Sequence, residues 1–380
     1  MGVGAALDIE PKPIQKVDPL LNVVKLSSGV SHSLLLTRDG DVWVFGSNYF
    51  GQAGFFPEMA GGLFESEDDT LREVIQLKEG FKEPLVDISS GDFSNLALGK
   101  SGAVYSWGAG LLGTTGNDLF NSEPCVVPVQ KACKIASGNN LSAILTTDQT
   151  QLFIWGIMKN KTSVLKMSSP VKLSLPKDVV EINNIAVSTT CAALQYVDTS
   201  GENRIIVLGY KDVQESNQYP YNPIVVEKDF QKVADSLDLP VVYQSKPFQK
   251  PVDQIQLSGG YLYILSGGRV SVVDLNSGKE TTVDLAEKIQ SMSIGRNVAA
   301  FASGKSVYTF SGILDTKKQV PFLSLMASVF RPNESSQDKS IIPGKPLIDF
   351  VLSGSFTKVD LECDVSQICC GFDTFLCLQK

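Results

Sequence analysis

A repeated pair of apolar stretches constrains the fold of this 380-residue chain more than any other feature of its sequence. The clearest copy spans residues 23–52, where alternating apolar and polar residues lie on both sides of the dipeptide Asp39-Gly40. Such alternation predicts β-strands, and Asp-Gly between two of them is a strong signal for a β-hairpin. Gly46 and Gly51 follow the second stretch, at positions where a positive φ or close packing is expected.

The same template recurs six more times with uneven fidelity. A glycine follows the first strand in most copies, and these anchor glycines are Gly29, Gly91, Gly138, Gly295 and Gly371. The fourth copy, near residues 180–209, lacks this glycine, and the fifth, near residues 252–272, also departs from the template. Because each repeat buries its apolar faces against its neighbours, residues 1–380 are predicted to form a single repeat domain.

The seventh copy, Val365–Leu378, stops after the first half of its hairpin. A β-propeller has to pair its last blade with its first, because an open sheet edge is a liability. The segment Asp8–Val17 resembles the end of such a repeat, and its Pro11 and Pro13 suit an outer edge strand. The prediction is an all-β, seven-bladed β-propeller in which the N- and C-terminal segments share one blade.

The spacing of the anchor glycines is irregular and exceeds the roughly 40–50 residues that one blade needs. The surplus is assigned to three insertions, at about residues 55–83, 210–251 and 314–363. The first contains the acidic run Glu65–Asp69, which would attract a basic partner electrostatically. Salt would weaken this attraction by screening the charges.

Three strings in the first copy carry a family resemblance. They are Gly-x-x-His at 29–32, Asp-Gly-x-Val-Trp-x-Phe-Gly at 39–46 and Ser-Asn-x-x-Gly-Gln at 47–52. They resemble the regulator-of-chromosome-condensation (RCC) repeat family, and the resemblance extends over nearly the whole chain. WD-repeat and kelch propellers are the alternatives, but the Trp-Asp end and the paired-glycine signature that typify them are missing from the sequence.

The resemblance does not by itself choose a function. The RCC repeat family includes the nucleotide exchange factor for the GTPase Ran and protein-binding propellers of ubiquitin ligases and ciliary proteins. It also includes a plant ultraviolet photoreceptor and a fungal propeller that partners a small iron protein in tRNA and diphthamide modification. The photoreceptor needs clusters of exposed tryptophans, whereas Trp43, Trp107 and Trp155 are predicted to occupy one core aromatic slot in three repeats.

In the exchange factor, the resemblance implies that the Gly-x-x-His turns form the working face. The positions that match the histidine slot are His32, Ser94, Leu141, Thr190, Tyr261, Val298 and Thr374. His32 is the only histidine of the chain, and the basic N-terminal tail of the exchange factor is not matched, so exchange activity on Ran is not expected. The resemblance implies for His32 a structural role in its turn, bracing neighbouring blades by hydrogen bonds.

The partner-binding face is predicted at the ring of these turns, because the strands are committed to blade packing and variable chemistry collects in loops. The predicted face consists of Asp92, Phe93, Asn139, Asn140, Tyr261, Arg296, Asn297, Phe372 and Asp373. Aromatic residues and arginine beside small polar groups are typical of interface hot spots. Phe93 and Phe372 are the strongest anchors of this prediction, and the alternative is that both rings pack against a neighbouring blade.

Composition excludes several other function classes. The formal net charge of −8 disfavours binding to nucleic acid, and the sequence has no apolar run of 18 residues for membrane insertion. No phosphate-binding loop, dinucleotide fingerprint, zinc spacing or catalytic triad occurs, so neither a cofactor nor a metal is expected. Seven cysteines without a disulfide framework fit a reducing compartment, the cytoplasm or the nucleus, with mitochondria left open.

The sequence therefore predicts a non-enzymatic propeller that binds proteins, as an adaptor or a subunit of a larger complex. One alternative is a guanine-nucleotide exchange factor for a small GTPase other than Ran, with Asp92 and Asp373 as the acidic residues. Another is a propeller that partners a small metal-bearing electron carrier in tRNA or diphthamide modification.

Overall fold

β-Sheets, antiparallel except for two short strands, form the whole of the regular structure in the part of the chain that the computed structural model describes. The described residues are 22–55, 70–114, 120–138, 140–159, 164–211, 230–232, 236–295, 298–311, 357–361, 364–371 and 375–379. They contain 28 strands, and the first three strands of each four-stranded blade are joined by short turns such as the one at Asp39-Gly40, which joins the second strand to the third. An all-β propeller is thus confirmed.

Six sheets of at least four strands follow one another along the chain as blades. Blade 1 contains β1 (Val23–Ser28), β2 (His32–Thr37), β3 (Val42–Ser47) and β4 (Thr70–Leu77). Blade 2 contains β5 (Leu85–Ser90), β6 (Ser94–Gly99), β7 (Val104–Ala109) and β8 (Phe120–Val126). Blade 3 contains β9 (Ala132–Ser137), β10 (Leu141–Thr146), β11 (Leu152–Lys159) and β12 (Val164–Leu173).

The second half of the chain repeats this order. Blade 4 contains β13 (Val179–Val187), β14 (Cys191–Asp198), β15 (Asn203–Gly209) and β18 (Val241–Gln244), and the short strands β16 (Phe230–Lys232) and β17 (Ser236–Leu237) pair in parallel with β12 of blade 3. Blade 5 contains β19 (Val252–Ser258), β20 (Tyr261–Ser266), β21 (Arg269–Asp274) and β22 (Glu280–Thr282). Blade 6 contains β23 (Ser291–Ile294), β24 (Val298–Ser303), β25 (Ser306–Ser311) and β26 (Thr357–Asp360).

The last sheet differs from the prediction of seven blades. It has only two strands among the described residues, β27 (Val365–Cys370) and β28 (Phe375–Gln379), so six blades are shown rather than seven. The predicted outer strands at Asp8–Val17 lie outside the described residues. The β27–β28 hairpin contacts both of its neighbours: the Cys370 backbone N–H donates to Ser293 Oγ of blade 6 at 2.9 Å, and Gln367 Oε1 accepts from Leu26 N–H of blade 1 at 2.8 Å.

The predicted insertions were drawn too widely, because each contains the outer strand of a blade. The span 55–83 includes β4, 210–251 includes β18, and 314–363 includes β26. An outer strand pairs on one side only and is half-solvated, so its sequence carries a weak apolar alternation and resembles a loop. Val241 in β18, for example, is 53% exposed. The remainder of each span lies largely outside the described residues.

Apolar faces of adjacent blades form the core. Trp107 and Trp155 are fully buried, as predicted, but Trp43 does not share their slot. Phe45 pairs with Ser33 across the strands of blade 1, as Trp107 pairs with Asn95 in blade 2. Trp43 therefore occupies the slot two residues earlier, with Tyr105 and Phe153, and it is only half-buried. The predicted alignment of Trp43 with Trp107 and Trp155 was therefore wrong by two residues.

The anchor glycines are required by space rather than by backbone conformation. None of Gly29, Gly91, Gly138 and Gly295 has a positive φ. A Cβ added at Gly91 would lie 2.5 Å from the carbonyl oxygen of Gly138, and one at Gly138 would lie 2.6 Å from that of Val187. Inner strands of neighbouring blades thus approach one another so closely at this position that a side chain does not fit.

Candidate protein-binding face

The turns between the first and second strands of the blades lie together at one end of the propeller. We call this surface the turn face and define it by residues 29–32, 91–94, 138, 140–141, 188–191 and 258–261. In blades 1 to 4, the turn is closed by a backbone bond of the kind that Gly29 N–H makes to His32 O, at 2.9 Å. These backbone hydrogen bonds fix the conformation of the turn residues.

A second backbone bond attaches each turn to the end of the third strand. The carbonyl of the residue before the histidine slot accepts the bond: Phe93 O accepts from Ala109 N–H at 2.9 Å, and Asn140 O accepts from Ile157 N–H at 2.8 Å. The glycine that precedes the donor, such as Gly108 with φ 103°, lies against that carbonyl. The repeated Trp-Gly or Phe-Gly string at the end of the third strand therefore serves to hold the turn.

The same register corrects one predicted position in the histidine slot. Cys191 pairs with Gly209 as His32 pairs with Gly46, so Cys191, and not Thr190, occupies the slot of the fourth blade. Strand β13 carries an additional register irregularity between Ile182 and Asn184, which shifts the turn by one residue relative to the template. A count along the sequence does not reveal this irregularity.

His32 links blade 1 to blade 2 through a buried polar network. Its Nε2 lies 2.7 Å from Oδ1 of Asn95, whose Nδ2 donates to the backbone carbonyl of Gln52 at 2.9 Å. Trp107 Nε1 donates to the same carbonyl at 3.1 Å. Since Asn95 uses its NH₂ group on Gln52, its Oδ1 accepts, and His32 carries its proton on Nε2. Sequence reasoning gave no role to Asn95 or to Gln52, although Gln52 ends the Ser-Asn-x-x-Gly-Gln string.

Burial sets the charge state of His32. Desolvation lowers the pKa of His32 to about 4, although the hydrogen bond to Asn95 acts in the opposite direction. The side chain is 3% exposed, and a charged imidazolium there would be costly. At neutral pH the only histidine of the chain is therefore an uncharged bridge between two blades.

Phe93 is not an exposed interface anchor. The side chain is 6% exposed, and its ring packs edge-on against Phe50 of blade 1 with 4.9 Å between the ring centroids. Ala109, with the half-buried Val30 and Tyr49, completes this cluster. The prediction for Phe93 is wrong, because the loop after β3 extends across to blade 2 and covers the ring.

The other predicted face residues divide into two groups. Asp92, Asn140 and Tyr261 lie on the turns of blades 2, 3 and 5, and each is half-buried. The backbone carbonyl of Asp92 accepts from Val30 N–H at 3.2 Å, which joins the turns of blades 1 and 2. The remaining positions, Asn139, Arg296, Asn297, Phe372 and Asp373, lie outside the described residues, as does the acidic run Glu65–Asp69.

Neither a candidate metal cluster nor a candidate membrane span is found in the described part of the chain. Among its residues, His, Cys, Asp and Glu do not come together in groups of three or more that could hold a metal ion. No helix long and apolar enough to cross a membrane occurs in the same residues.

The first repeat of the chain matches a known family, and known proteins are similar in sequence to a larger part of the chain. Residues 23–52 match the family model described as the regulator of chromosome condensation (RCC1) repeat. Human HERC6, described as a probable E3 ubiquitin-protein ligase, is 27% identical to this chain over 243 residues. The mouse regulator of chromosome condensation is 30% identical over 158 residues. The fold is an RCC1-type β-propeller.

The matched portion of each relative limits what can be transferred to this RCC1-type propeller. The alignment covers 60% of this chain and 22% of HERC6, and 39% of this chain and 34% of the mouse regulator. The chain thus spans about a third or less of the length of these two relatives.

A solved structure is similar over more of the chain. Prp20p from Saccharomyces cerevisiae aligns with a TM-score of 0.61 at 15% identity, covering 93% of this chain and 82% of that one. The report of the Prp20p structure also describes the binding of Prp20p to Gsp1p and histones. Human WBSCR16 aligns with a TM-score of 0.53 at 19% identity, covering 71% and 69% of the two chains. At such identities the likeness concerns the fold alone.

Proposed function

We propose that this RCC1-type propeller is a protein-binding module without enzymatic activity, an adaptor or subunit of a larger complex in the cytoplasm or nucleus. The observation that carries the proposal is the construction of the turn face. Its turns are held by backbone hydrogen bonds on both sides, while Asp92, Asn140 and Tyr261 present half-exposed polar and aromatic groups. Pre-ordered loops that carry such groups bind proteins at a low entropic cost.

The chemistry of the same face supports binding over catalysis. His32 is buried and uncharged at neutral pH, so it does not offer a proton to a bound molecule. Of the equivalent positions, Ser94 and Leu141 offer no acid–base side chain, and the Cys191 thiol is buried. The net charge of −8 further supports protein partners over nucleic acid.

A nucleotide exchange factor for a small GTPase other than Ran is the second candidate. It is favoured by the likeness to Prp20p, whose study describes binding to Gsp1p, and by the position of Asp92 on the turn face. Such a factor would act by binding a GTPase in its nucleotide-free form, so it also requires an intact turn face.

Affinity purification from the native source, followed by mass spectrometry, tests the proposal. The tagged wild type is compared with a turn-face variant, Asp92→Lys with Tyr261→Ala, and with a control on the outer strands, Val241→Ala with Glu280→Lys. We expect the control to retain the partner and the turn-face variant to lose it while keeping its circular dichroism spectrum. Retention by both variants would contradict the proposal, and accelerated release of labelled GDP from a recovered GTPase would favour the second candidate.

We also infer that the β27–β28 hairpin is the inner half of a seventh blade, completed by residues 8–17. Gln367 bonds to both backbone groups of Leu26, donating to its carbonyl at 3.1 Å as well as accepting from its N–H at 2.8 Å, so hairpin and blade 1 are joined as other neighbours are. Deletion of residues 1–17 is expected to expose an edge and to lower the free energy of unfolding by about 3 kcal/mol or more. An unchanged melting temperature would refute this closure.

A further inference from the structure

The innermost strands of blades 1 to 5 and of the β27–β28 hairpin each carry a β-bulge at the end opposite the turn face. In blade 1, Val24 has no partner in the second strand, because it lies between the pairs Val23–Thr37 and Lys25–Leu36. In blade 4, which has two such irregularities, the one farther from the turn face is counted. A bulge frees the extra residue from the ladder and redirects its side chain. We call these bulge residues the bulge ring: Val24, Val86, Cys133, Val180, Asp253 and Ser366.

The bulge ring is apolar on one side and polar on the other. Blades 1, 2 and 4 have valine at the bulge, with exposures of 44% for Val24, 53% for Val86 and 51% for Val180. Blade 3 has the half-buried Cys133, whereas blade 5 and the hairpin have exposed polar residues. The inner strands of blades 1 to 4 contact one another in sequence, so these four apolar residues lie side by side. We call Val24, Val86, Cys133 and Val180 the apolar crescent.

The exposure of the apolar crescent is not explained by folding. Its three valines are half of the six large apolar side chains that are exposed in the described part of the chain. Single exposed apolar residues are ordinary, but several of them at one structural position mark an interaction surface. Inner strands line the central channel of a propeller, so the apolar crescent lies at the mouth of that channel, away from the turn face. It therefore goes beyond the function proposed for the turn face.

A lysine without a partner lies beside the apolar crescent. In blades 1 and 2, the residues that follow the bulge, Lys25 and Asp87, form an ion pair between the two inner strands. The corresponding residue of blade 3 is Lys134, which pairs with Leu145 across the strands as Lys25 pairs with Leu36. Lys134 is half-buried, and it forms no hydrogen bond or ion pair with another residue of the described chain.

The additional irregularity in β13 explains why Lys134 has no partner. Blade 4 has an acidic residue, Glu181, directly after its bulge residue, in the place that Asp87 has in blade 2. The second irregularity, between Ile182 and Asn184, lengthens β13 and places Glu181 farther from the turn face. At the level of Lys134, counted from the turn, β13 therefore presents the neutral Asn184.

The unpaired ammonium and the apolar crescent together determine what chemistry an occupant needs. The charges of Lys25 and Asp87 neutralise each other, and Glu181 is exposed to solvent at the outer rim, where screening weakens its effect. The half-buried ammonium of Lys134 then favours an anion, and the neighbouring valines favour an aliphatic group. A carboxylate next to an aliphatic side chain satisfies both, and a polypeptide that ends in Val, Leu or Ile carries this combination.

The size of the apolar crescent also favours a chain end over a second copy of the protein. A stable protein–protein interface buries about 800 Å² on each partner. Three half-exposed valines and one half-buried cysteine present far less apolar surface than that. A short segment with one or two buried side chains is the occupant that fits.

We propose that the apolar crescent binds the C-terminus of a partner protein whose last residue is aliphatic. The terminal carboxylate pairs with the ammonium of Lys134. The last side chain packs against Val86 and Cys133, on the inner strands of blades 2 and 3.

Selection from a phage library of random heptapeptides with free C-termini tests this site on the folded 380-residue chain. We expect the recovered sequences to end in Val, Leu or Ile. A labelled synthetic copy should bind the wild type about tenfold or more tightly than the same peptide with an amidated C-terminus, because amidation removes the charge that pairs with Lys134.

Two variants and two matched controls locate the site. Lys134→Gln should weaken binding of the free-carboxylate peptide about tenfold, and Val86→Ser about fivefold. Lys305→Gln changes an exposed lysine at the same end of the propeller, and Val241→Ser changes an outer-strand valine that is also 53% exposed. Both controls should bind within about twofold of the wild type. The turn-face variant described above should bind the peptide normally.

Failure to select any peptide, equal binding of free and amidated peptides, or equal losses in the site and control variants would overturn the proposal. Selection of peptides that bind through internal Asp or Glu, and bind as well when amidated, would also reject a chain end as the occupant. The comparison of free and amidated peptides uses the wild type alone, so it remains decisive if Lys134→Gln fails to fold.

Discussion

The first three blades join their inner strands by different chemistry from that between blades 5 and 6. Between blades 1 and 2, Ser27 Oγ accepts from Ser90 N–H at 2.7 Å, and between blades 2 and 3, Ser89 Oγ accepts from Ser137 N–H at 2.9 Å. A serine side chain is short, so the two backbones must lie close together. The anchor glycines make this approach possible.

Between blades 5 and 6, glutamines take the place of serines. Gln254 Oε1 accepts from Met292 N–H at 2.8 Å, and Gln256 Oε1 accepts from Ile294 N–H at 2.7 Å. Glutamine has one more methylene carbon and a carbonyl carbon between backbone and oxygen than serine has, so its oxygen reaches further from its own strand. Two residue types, serine and glutamine, thus link the inner strands of neighbouring blades. A sequence template built on glycine and serine identifies only the serine links.

The largest effect is expected where the backbones lie closest. Gly91→Val would place side-chain atoms against the carbonyl of Gly138, where a Cβ alone would lie at 2.5 Å and backbone rather than side chain would have to move. The free energy of unfolding should fall by about 4 kcal/mol, measured by urea denaturation. Gly259→Asn in blade 5 is the control, because nothing lies within 4 Å of its Cβ and asparagine tolerates a φ of 55°. Equal losses in both variants would refute the role of close approach.

The next effect concerns pH and the junction between blades 1 and 2. Between pH 6.5, the ordinary pKa of histidine, and the pKa of about 4 for His32 in the fold, the unfolded chain binds a proton that the folded chain excludes. His32 therefore costs no free energy of unfolding above pH 6.5. Its protonation in the unfolded chain lowers the free energy of unfolding by about 3 kcal/mol as pH decreases to 4. His32→Gln should flatten this part of the stability profile, and a variant as steep as the wild type would contradict the assignment.

The smallest effect separates the two kinds of linking side chain. Gln256→Ala should lower the free energy of unfolding by about 2 kcal/mol, and Ser27→Ala by about 1 kcal/mol, because each leaves a backbone N–H without its partner. A smaller loss is expected for serine, because Ser27→Ala removes the bond to Ser90, whereas Gln256→Ala also removes the bond that Gln256 Nε2 donates to Met292 O at 3.4 Å. Denaturant titration of both variants measures the difference, and a larger loss for Ser27→Ala would reverse the comparison.

The sequence predicted the hairpins well where strands are inner and buried. The alternation around Asp39-Gly40 and the glycines at 46 and 51 led to the correct strands, and both glycines have a positive φ. The outer strands β4 and β18 were taken for insertions, because a half-exposed edge strand lacks a clear pattern.

The site was predicted less well, since it depends on register and on contacts between distant residues. The irregularity in β13 moved the histidine slot to Cys191, and the loop holding Phe50 covered Phe93. The bridge from His32 to Asn95 joins positions 63 residues apart, and a single sequence does not reveal such a pair. The location of the turns could be inferred from the repeat, but the exposure of each side chain could not.

The central claim is that the turn face binds a protein partner, and hydrogen–deuterium exchange of the native complex tests it most directly. We predict that partner binding slows exchange at the turns containing Asp92, Asn140 and Tyr261, while the outer strands β4 and β18 exchange as in the free protein. Protection confined to the outer strands, with unchanged exchange at all three turns, would contradict the account.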